Sequence, residues 1–216
     1  MSPSGRRFFD VVLVLSALAT TAAVVSRASW FDGSDRDETR GFEGWEEEFE
    51  LDRRIGPADA PYRLVVWMDY RCPACRRFEE ELGRARERLK DGLAVVYRHY
   101  PLDIHPLARR AAVAAECAHE QGQFGAMHRA LLEVPLDVDS LPLASLASDS
   151  ELARPESWRK CISDSTSTAV EAVEADLDHG RELGLRGTPG VQIGDRLATG
   201  GMRAEELLSR LRSARY

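Results

Sequence analysis

The sequence contains little cysteine and no excess of basic residues, and both shortages exclude classes of protein. Four cysteines among 216 residues are too few for a disulfide-scaffold protein, although they suffice for one active pair and one stabilising bridge. Lys and Arg total 29 against 36 Asp and Glu, so the net charge of −7 provides no basic face for nucleic acid. A hydrophobic content of 44% excludes a wholly disordered chain, and 30% charged residues exclude a polytopic membrane protein.

The long hydrophobic run of the sequence is confined to the N-terminus. Arg6 and Arg7 precede an apolar stretch of 19 residues, 8–26, which is just long enough to span the hydrocarbon core of a membrane. We expect residues 1–27 to form an uncleaved signal anchor. A cleaved signal peptide is one alternative, although residues 26–28 match a cleavage site poorly, and a buried core helix is another. The preceding arginines place the body outside the cytoplasm, in the periplasm or cell-wall space, where disulfides persist.

Acidic residues are concentrated in the segment that follows. Residues 28–52 hold ten acids against two bases, and residues 28–54 show little apolar periodicity. We therefore interpret residues 28–54 as a solvated acidic linker. Aromatic residues leave a second interpretation open, in which this segment docks on the body or on the membrane interface; they are Trp30, Phe31, Phe42, Trp45 and Phe49.

The folded domain is expected over residues 55–216 and opens with a strand. Residues 62–69 are rich in β-branched and aromatic side chains, and residues 93–100 have the same character. Between them, residues 73–90 carry apolar side chains at three- and four-residue spacing, which predicts a helix. This order is a βαβ unit, with Cys-Pro-Ala-Cys at residues 72–75 in its first turn.

The middle of the chain shows no clear strand pattern. An unstructured loop of that length is uncommon inside a compact domain, so we predict a helical insertion over about residues 103–186. Short strands at residues 191–193 and 196–199 and a last helix at residues 203–211 follow it. The helical patterns of the insertion cover residues 107–120, 124–132, 141–147, 155–162 and 169–183.

Two cysteines three residues apart at the start of a helix can close a small disulfide ring. Unpaired N–H groups and the positive end of the helix dipole favour the thiolate of the first cysteine, Cys72. Since the thiolate is the nucleophile in thiol–disulfide exchange, we expect Cys72 to attack and Cys75 to resolve the mixed disulfide. A zinc site needs more soft ligands, and Cys117 and Cys161 do not form a second CxxC. A haem attachment needs histidine where Arg76 stands, so the motif predicts redox chemistry with no metal and no cofactor.

Several further motifs follow one another along the chain. They are Gly-Pro-Ala-Asp-Ala-Pro at 56–61, Asp-Tyr-Arg before the first cysteine at 69–71, Tyr-Pro-Leu at 100–102, His-Pro at 105–106, Ala-Ala at 111–112, Glu-Cys-Ala at 116–118, Gln-Gly-Gln-Phe at 121–124 and Gly-Thr-Pro at 187–189. Together with Cys-Pro-Ala-Cys they resemble the DsbA-like thioredoxin-fold family over about residues 55–212. The resemblance implies an α/β thioredoxin-like fold with a helical insertion, here preceded by an N-terminal transmembrane anchor, and thiol–disulfide exchange on extracytoplasmic proteins.

The resemblance also implies roles for the late turn and for the residues between the cysteines. A cis bond between Thr188 and Pro189, facing the CxxC, would leave the Thr188 backbone free to pair with an extended substrate segment. Pro73 and Ala74 stand where the best-known oxidases have Pro-His, and Gly190 stands where a bulkier residue is common. These positions are expected to tune the redox potential.

The remaining two cysteines, Cys117 and Cys161, both fall in the predicted helical insertion. An oxidising compartment makes idle thiols a liability, and we therefore predict a structural disulfide between them. Two free buried cysteines are the alternative.

For the polar residues around the Cys-Pro-Ala-Cys motif, a structural role is the main interpretation. Asp69 is expected to cap the turn, with proton transfer to Cys75 as the functional alternative. His99 and His105 are interpreted as ordinary core or surface histidines, with modulation of the thiolate by a histidine that lies near Cys72 as the alternative. A solvated helix face is the interpretation for the neighbouring arginines, Arg71, Arg76 and Arg77, with thiolate stabilisation by Arg71 or Arg76 as the functional alternative.

The sequence as a whole predicts an anchored, extracytoplasmic thiol–disulfide oxidoreductase. The main hypothesis is a dithiol oxidase that introduces disulfides into secreted proteins through Cys72 and Cys75. Its expected partners are unfolded or reduced secreted proteins and a membrane protein that reoxidises, or reduces, the dithiol; no nucleic acid is expected. A reductase or isomerase is the alternative within redox chemistry, and a non-catalytic thioredoxin-fold tether or adaptor is the alternative from another class.

Overall fold

The computed structural model of the protein describes residues 38–39, 45–50 and 53–214. They belong to a compact unit over residues 36–216. The signal anchor predicted at residues 1–27 lies outside the described residues. Within them, no helix combines the length and the apolar character that crossing a membrane requires.

A mixed sheet of six strands forms the centre of the described domain. In chain order the strands are β1 Glu38–Thr39, β2 Arg54–Ile55, β3 Tyr62–Met68, β4 Leu93–His99, β5 Gly190–Ile193 and β6 Arg196–Thr199. Their order across the sheet is β1-β6-β5-β3-β4-β2. The β3 and β4 strands are parallel, and every other neighbouring pair is antiparallel.

The neighbouring strands β3 and β4 are mainly apolar because both faces of the sheet are covered. Successive side chains of a strand point to opposite faces. Leu64 and Val66 accordingly belong to one core cluster, and Val65 and Trp67 to the other; all four are at most 1% exposed. A buried, parallel pair of strands of this kind is typical of a βαβ unit.

The helix α1, Pro73–Leu89, connects β3 to β4. Pro73 occupies its first turn, where the missing N–H costs no hydrogen bond. The face that the helix buries carries Phe78, Leu82 and Ala85 at three- and four-residue spacing, each with no exposed surface. The predicted strand-helix-strand unit therefore has its first turn, and the cysteine pair, at the end of a buried strand.

Helices fill the chain between β4 and β5, over the segments where the sequence patterns are helical. They are α2 Ala108–His119, α3 Phe124–Glu133, α4 Leu143–Asp149, α5 Pro155–Ser163 and α6 Thr168–Glu182, and α7 Ala204–Ser213 follows the last strand. Ser167 begins α6 by accepting a hydrogen bond from the N–H of Val170 with its side chain. Trp158 fixes α5 to α2 by donating from Nε1 to the Ala114 carbonyl at 2.9 Å.

The segment predicted as a solvated linker, residues 28–54, differs from that prediction in its described parts. Residues 38–39 pair with β6, and residues 54–55 pair with β4. A 3-10 helix, Trp45–Glu50, packs Phe49 against the second core cluster at 5% exposure. The interpretation in which the aromatic residues dock on the body therefore applies to Phe49.

Buried charges explain why the sequence pattern missed this docking. Arg53 is 5% exposed, and its guanidinium contacts Glu116 and Asp176, each at 2.7 Å. Arg98 also binds Asp176, at 2.7 Å, and pairs with Glu48 of the 3-10 helix. Ion pairs and the single apolar side chain of Phe49 hold the described parts of the segment, and one apolar residue gives no hydrophobic periodicity that could reveal the docking.

Candidate active site

The cysteine pair lies at the junction between β3 and α1. Cys72 precedes the first helical residue with extended dihedral angles, φ −79° and ψ 119°. Its N–H donates to the Asp69 carbonyl at 3.1 Å, and its carbonyl accepts from Arg76 at 3.3 Å. The turn therefore presents the Cys72 sulfur at the N-terminus of a helix of 17 residues.

The Cys72 thiol is strongly acidic in this setting. A hydrogen bond with the Cys75 thiol is the main factor that lowers the pKa of Cys72 to about 5, against the opposing effect of burial. The backbone N–H groups of Cys75 and Ala74 also act to lower the pKa. At neutral pH the thiolate then exceeds the thiol by about a hundredfold.

The Cys75 thiol has the opposite properties. It is 1% exposed, against 5% for Cys72, and burial raises its pKa well above the ordinary value. The described backbone donor to its sulfur is the N–H of Asp69, at 3.4 Å. The two thiols therefore differ in acidity in the direction that an attacking and a resolving cysteine require.

The late turn predicted to face the cysteines is adjacent to them. The Thr188–Pro189 bond is cis, and the Thr188 carbonyl oxygen lies 3.6 Å from the Cys72 sulfur. The Pro189 carbonyl accepts from Gly200 at 2.7 Å, so it is occupied within the fold. A Cβ at Gly190 would lie 2.7 Å from a methyl group of Leu185, which accounts for the small residue after the proline.

The two residues between the cysteines differ in exposure. Pro73 is exposed at the tip of the turn, and Ala74 is half-buried. Ala74 offers no polar side-chain group, and its backbone N–H acts on the Cys72 sulfur. The influence of residue 74 on the thiol therefore passes through the backbone.

Asp69 has more partners than the predicted cap of the turn. Its carboxylate accepts from the N–H of Arg71 at 2.7 Å, as a cap would. It also accepts from the N–H of Leu102 at 3.0 Å and from Nδ1 of His105 at 2.6 Å. His105 therefore belongs to the active-site turn, whereas His99 contacts Glu116 in the core.

The interpretation of the arginines as a solvated helix face is wrong for two of the three. Arg71 is 5% exposed and donates to the Pro135 and Leu136 carbonyls at 2.8 and 2.6 Å. Arg76 donates to the Tyr70 carbonyl at 3.1 Å and to the Val134 carbonyl at 2.6 Å. Both side chains hold the loop after α3 against the active-site turn. Arg77 is exposed, as predicted.

A buried polar cluster behind the turn was not predicted. The Tyr70 hydroxyl lies 3.2 Å from Nδ1 of His128, and Nε2 of His128 lies 3.7 Å from Glu79. Tyr97 donates to Glu79 at 3.2 Å and accepts from Arg86 at 2.9 Å. Burial raises the pKa of both tyrosines well above the ordinary value, which keeps them protonated as donors. In the sequence, the residues of this cluster follow helical or strand periodicity, and no motif marks them as a group.

The other two cysteines are joined in the structure. Cys117 of α2 and Cys161 of α5 form a disulfide across 44 residues of sequence, with Cα atoms 6.0 Å apart. In the described part of the chain, Cys72 and Cys75 are the free cysteines. Within the same residues, no group of three or more His, Cys, Asp or Glu side chains is arranged to hold a metal ion.

The comparison with protein families identifies the fold around this site. Residues 49–212 match the family model described as Thioredoxin. The chain belongs to the thioredoxin family. The match begins at Phe49, in agreement with the docking of that residue on the domain.

Solved structures share the fold of this chain. A thioredoxin-like oxidoreductase from Silicibacter pomeroyi is 23% identical with a TM-score of 0.67, over 78% of this chain and 95% of that one. The thiol-disulfide exchange protein alpha-DsbA2 from Wolbachia pipientis is 16% identical with a TM-score of 0.66, over 78% and 90%. At these identities the likeness is one of fold, and together with the family match it confirms the predicted thioredoxin-like fold.

The curated relatives include proteins that are named as sodium/proton antiporters. The Na(+)/H(+) antiporter NhaA 1 of Salinispora arenicola is 35% identical over 164 residues, which cover 74% of this chain and 24% of the relative. The chain spans about a quarter or less of the curated relatives it matches. The likeness is therefore to a part of those antiporters.

Proposed function

We propose that this thioredoxin-family protein works as a dithiol oxidase, which passes a disulfide from Cys72 and Cys75 to reduced substrate proteins. The acidity of Cys72, whose pKa is lowered to about 5, is the observation that carries the proposal. A stabilised thiolate favours the reduced form of the enzyme, and a favoured reduced form makes the enzyme disulfide a strong oxidant. A reductase also attacks with a thiolate, but a pKa this low makes its dithiol a weaker reductant.

The proposed reaction proceeds through a mixed disulfide at Cys72. A substrate thiolate attacks the Cys72 sulfur, the bond between the two enzyme sulfurs breaks, and its electron pair remains on Cys75, which takes up a proton. A second substrate thiolate then attacks the substrate sulfur of the mixed disulfide and expels the Cys72 thiolate. The two substrate thiols have lost two electrons and two protons; one proton is on Cys75, the other is in solution, and Cys72 remains a thiolate.

The residues around the sulfurs have proposed supporting roles. Thr188 and Pro189 are the proposed substrate-binding residues, because the Thr188 carbonyl already lies 3.6 Å from the attacking sulfur. An extended substrate segment would pair with this backbone as an added strand. Pro73 and Ala74 are the proposed redox-tuning residues, because they set the backbone around the Cys72 sulfur.

The order of attack is tested by trapping in the native host. Cys75→Ser should accumulate mixed disulfides with exported proteins, because the attacking thiol survives without its resolving partner. Cys72→Ser should trap almost none, and the double variant is the control for non-specific adducts. The reverse pattern, or no adducts with either single variant, would contradict the proposed mechanism.

We further propose that the domain lies outside the cytoplasm and that residues 8–26 anchor it in the membrane. The apolar run and the poor cleavage site support the anchor, and the Cys117–Cys161 disulfide supports an oxidising compartment. Reduced secreted proteins would then be the substrates, and a membrane protein would reoxidise the dithiol. After cell fractionation, the full-length protein should be found in the membrane fraction. A soluble form that begins near Ser29 would identify a cleaved signal peptide instead.

A further inference from the structure

One residue joins the resolving cysteine to the start of the helical insertion. The side chain of Asp69 has no exposed surface, and its carboxylate accepts three hydrogen bonds. Two of the donors, the N–H of Leu102 and Nδ1 of His105, lie on the segment between β4 and α2, more than 30 residues away in sequence. The third donor is the N–H of Arg71 within the active-site turn.

The backbone of the same residue contacts a reacting atom. The Asp69 N–H donates to the Cys75 sulfur at 3.4 Å. Cys75 is 1% exposed, so a charge on its sulfur is poorly solvated, and this N–H stabilises that charge. The N–H belongs to the Met68–Asp69 peptide group, whose carbonyl accepts from the N–H of Tyr100 at 2.8 Å, and the three bonds to the carboxylate hold the Asp69 end of that group.

We infer that Asp69, held by His105, is a positioning residue that aims its backbone N–H at the sulfur of the resolving cysteine, Cys75. The inference deepens the proposed function, since it concerns the same cysteine pair. It assigns no proton transfer to the Asp69 carboxylate. The contribution is the fixed orientation of one backbone donor.

The inference concerns the steps in which Cys75 carries charge. When a thiolate attacks the Cys72 sulfur and the enzyme disulfide opens, the electron pair of the broken bond stays on Cys75. When the mixed disulfide closes again, the Cys75 thiolate attacks Cys72 and the outside thiolate leaves. The N–H of Asp69 faces the charged sulfur both when the enzyme disulfide opens and when it closes. We call the contact between Asp69 and His105 the clamp; when it is lost, the rates of opening and of closure should both fall.

Three variants separate the clamp from general effects on the fold. Asp69→Asn keeps an acceptor for the N–H of Arg71 but turns an NH2 group toward the donors of Leu102 and His105. His105→Ala removes one donor, and His105→Asn restores an N–H donor at a similar position. Asp103→Asn is the matched control, because Asp103 is an exposed carboxylate on the same segment.

The measurement uses glutathione as the outside thiol. Reduced full-length protein is mixed with oxidised glutathione, quenched with acid, and analysed by mass spectrometry for the mixed disulfide and for its closure by Cys75. Loss of one charge-stabilising hydrogen bond should slow closure about five- to tenfold in His105→Ala and at least as much in Asp69→Asn. His105→Asn and Asp103→Asn should close within about twofold of the wild-type rate.

Alkylation of Cys72 distinguishes positioning from a loosened fold. In a Cys75→Ser background, Cys72 should be alkylated at the same rate with and without the substitutions at Asp69 and His105, because no described contact joins those two side chains to the Cys72 sulfur. Unchanged closure in both His105→Ala and Asp69→Asn, or an equal loss of Cys72 reactivity, would overturn the inference. If Asp69→Asn does not fold, the comparison of closure rates between His105→Ala and His105→Asn tests the inference. Closure is measured whichever direction the enzyme runs, so a failed oxidase proposal shows in the reduction potential of the Cys72–Cys75 pair and not here.

Discussion

Removal of the carboxylate of Glu116 should cost stability at neutral pH and little in acid. Glu116 lies in α2 and is 7% exposed. Its Oε2 atom is 2.7 Å from Nη1 of Arg53 and 3.1 Å from Nε2 of His99. Burial opposes ionisation, but the hydrogen bond and charge of His99, followed by those of Arg53, lower the pKa of Glu116 to about 2.

The size of the effect follows from the difference in pKa between the folded and unfolded states. An unfolded glutamate titrates near pH 4.3, about two units above the folded value, and each unit is worth ~1.4 kcal/mol. Because the folded pKa is the lower one, the stabilisation is complete above pH ~4.3 and is lost as the pH falls through about 2. Glu116→Gln should therefore lower the free energy of unfolding by about 3 kcal/mol at pH 7.

Urea denaturation of the full-length protein at pH 7 and pH 2.5 tests this prediction. The difference between Glu116→Gln and the wild type should shrink to about a third or less at the lower pH. Glu87→Gln is the control, because Glu87 is exposed, and it should change stability by less than about 0.5 kcal/mol at either pH. An equal penalty at both pH values would refute the pH linkage, and a penalty below about 1 kcal/mol at pH 7 would refute its magnitude.

Three further predictions concern stability and can be measured by the same denaturation. Replacing Cys117 and Cys161 together by serine should cost about 4 kcal/mol, since the disulfide closes a loop of 44 residues; a loss below about 1 kcal/mol would contradict this. Gly190→Ala should cost about 1–3 kcal/mol because of the short contact with Leu185, whereas the neighbouring Gly187→Ala, whose Cβ would meet only ordinary contacts, should cost less; equal effects would contradict the packing argument. Phe49→Ala should lower the free energy of unfolding by about 3 kcal/mol because the side chain is 5% exposed in the second core cluster. An unchanged stability would support the solvated linker instead.

Local patterns were enough to predict the framework of the domain. The strands before and after α1 are apolar on both faces, and α1 itself buries Phe78 and Leu82 at helical spacing, so period and composition located them. The position of Cys72 at the helix start likewise follows from the proline after it. The helices of the insertion were recognised from helical spacing and alanine-rich composition, although α2 is buried on nearly all sides and α5 buries Trp158.

Contacts between distant residues could not be predicted in this way. Asp69 meets His105 across 36 residues, and Arg53 meets Asp176 across 123. A charged side chain in an acidic segment gives no sign that it will be buried against a partner so far along the chain. The docking of Arg53 and the enclosure of Asp69 therefore became visible only in the folded structure.

The reduction potential of the Cys72–Cys75 pair tests the central claim most directly. The full-length protein is equilibrated in glutathione buffers of known potential, and the fractions of dithiol and disulfide are read by mass spectrometry after acid quenching. With the pKa of Cys72 lowered to about 5, the account predicts a potential more oxidising than about −180 mV. A value near that of thioredoxin, about −270 mV, would contradict the dithiol oxidase and indicate a reductase.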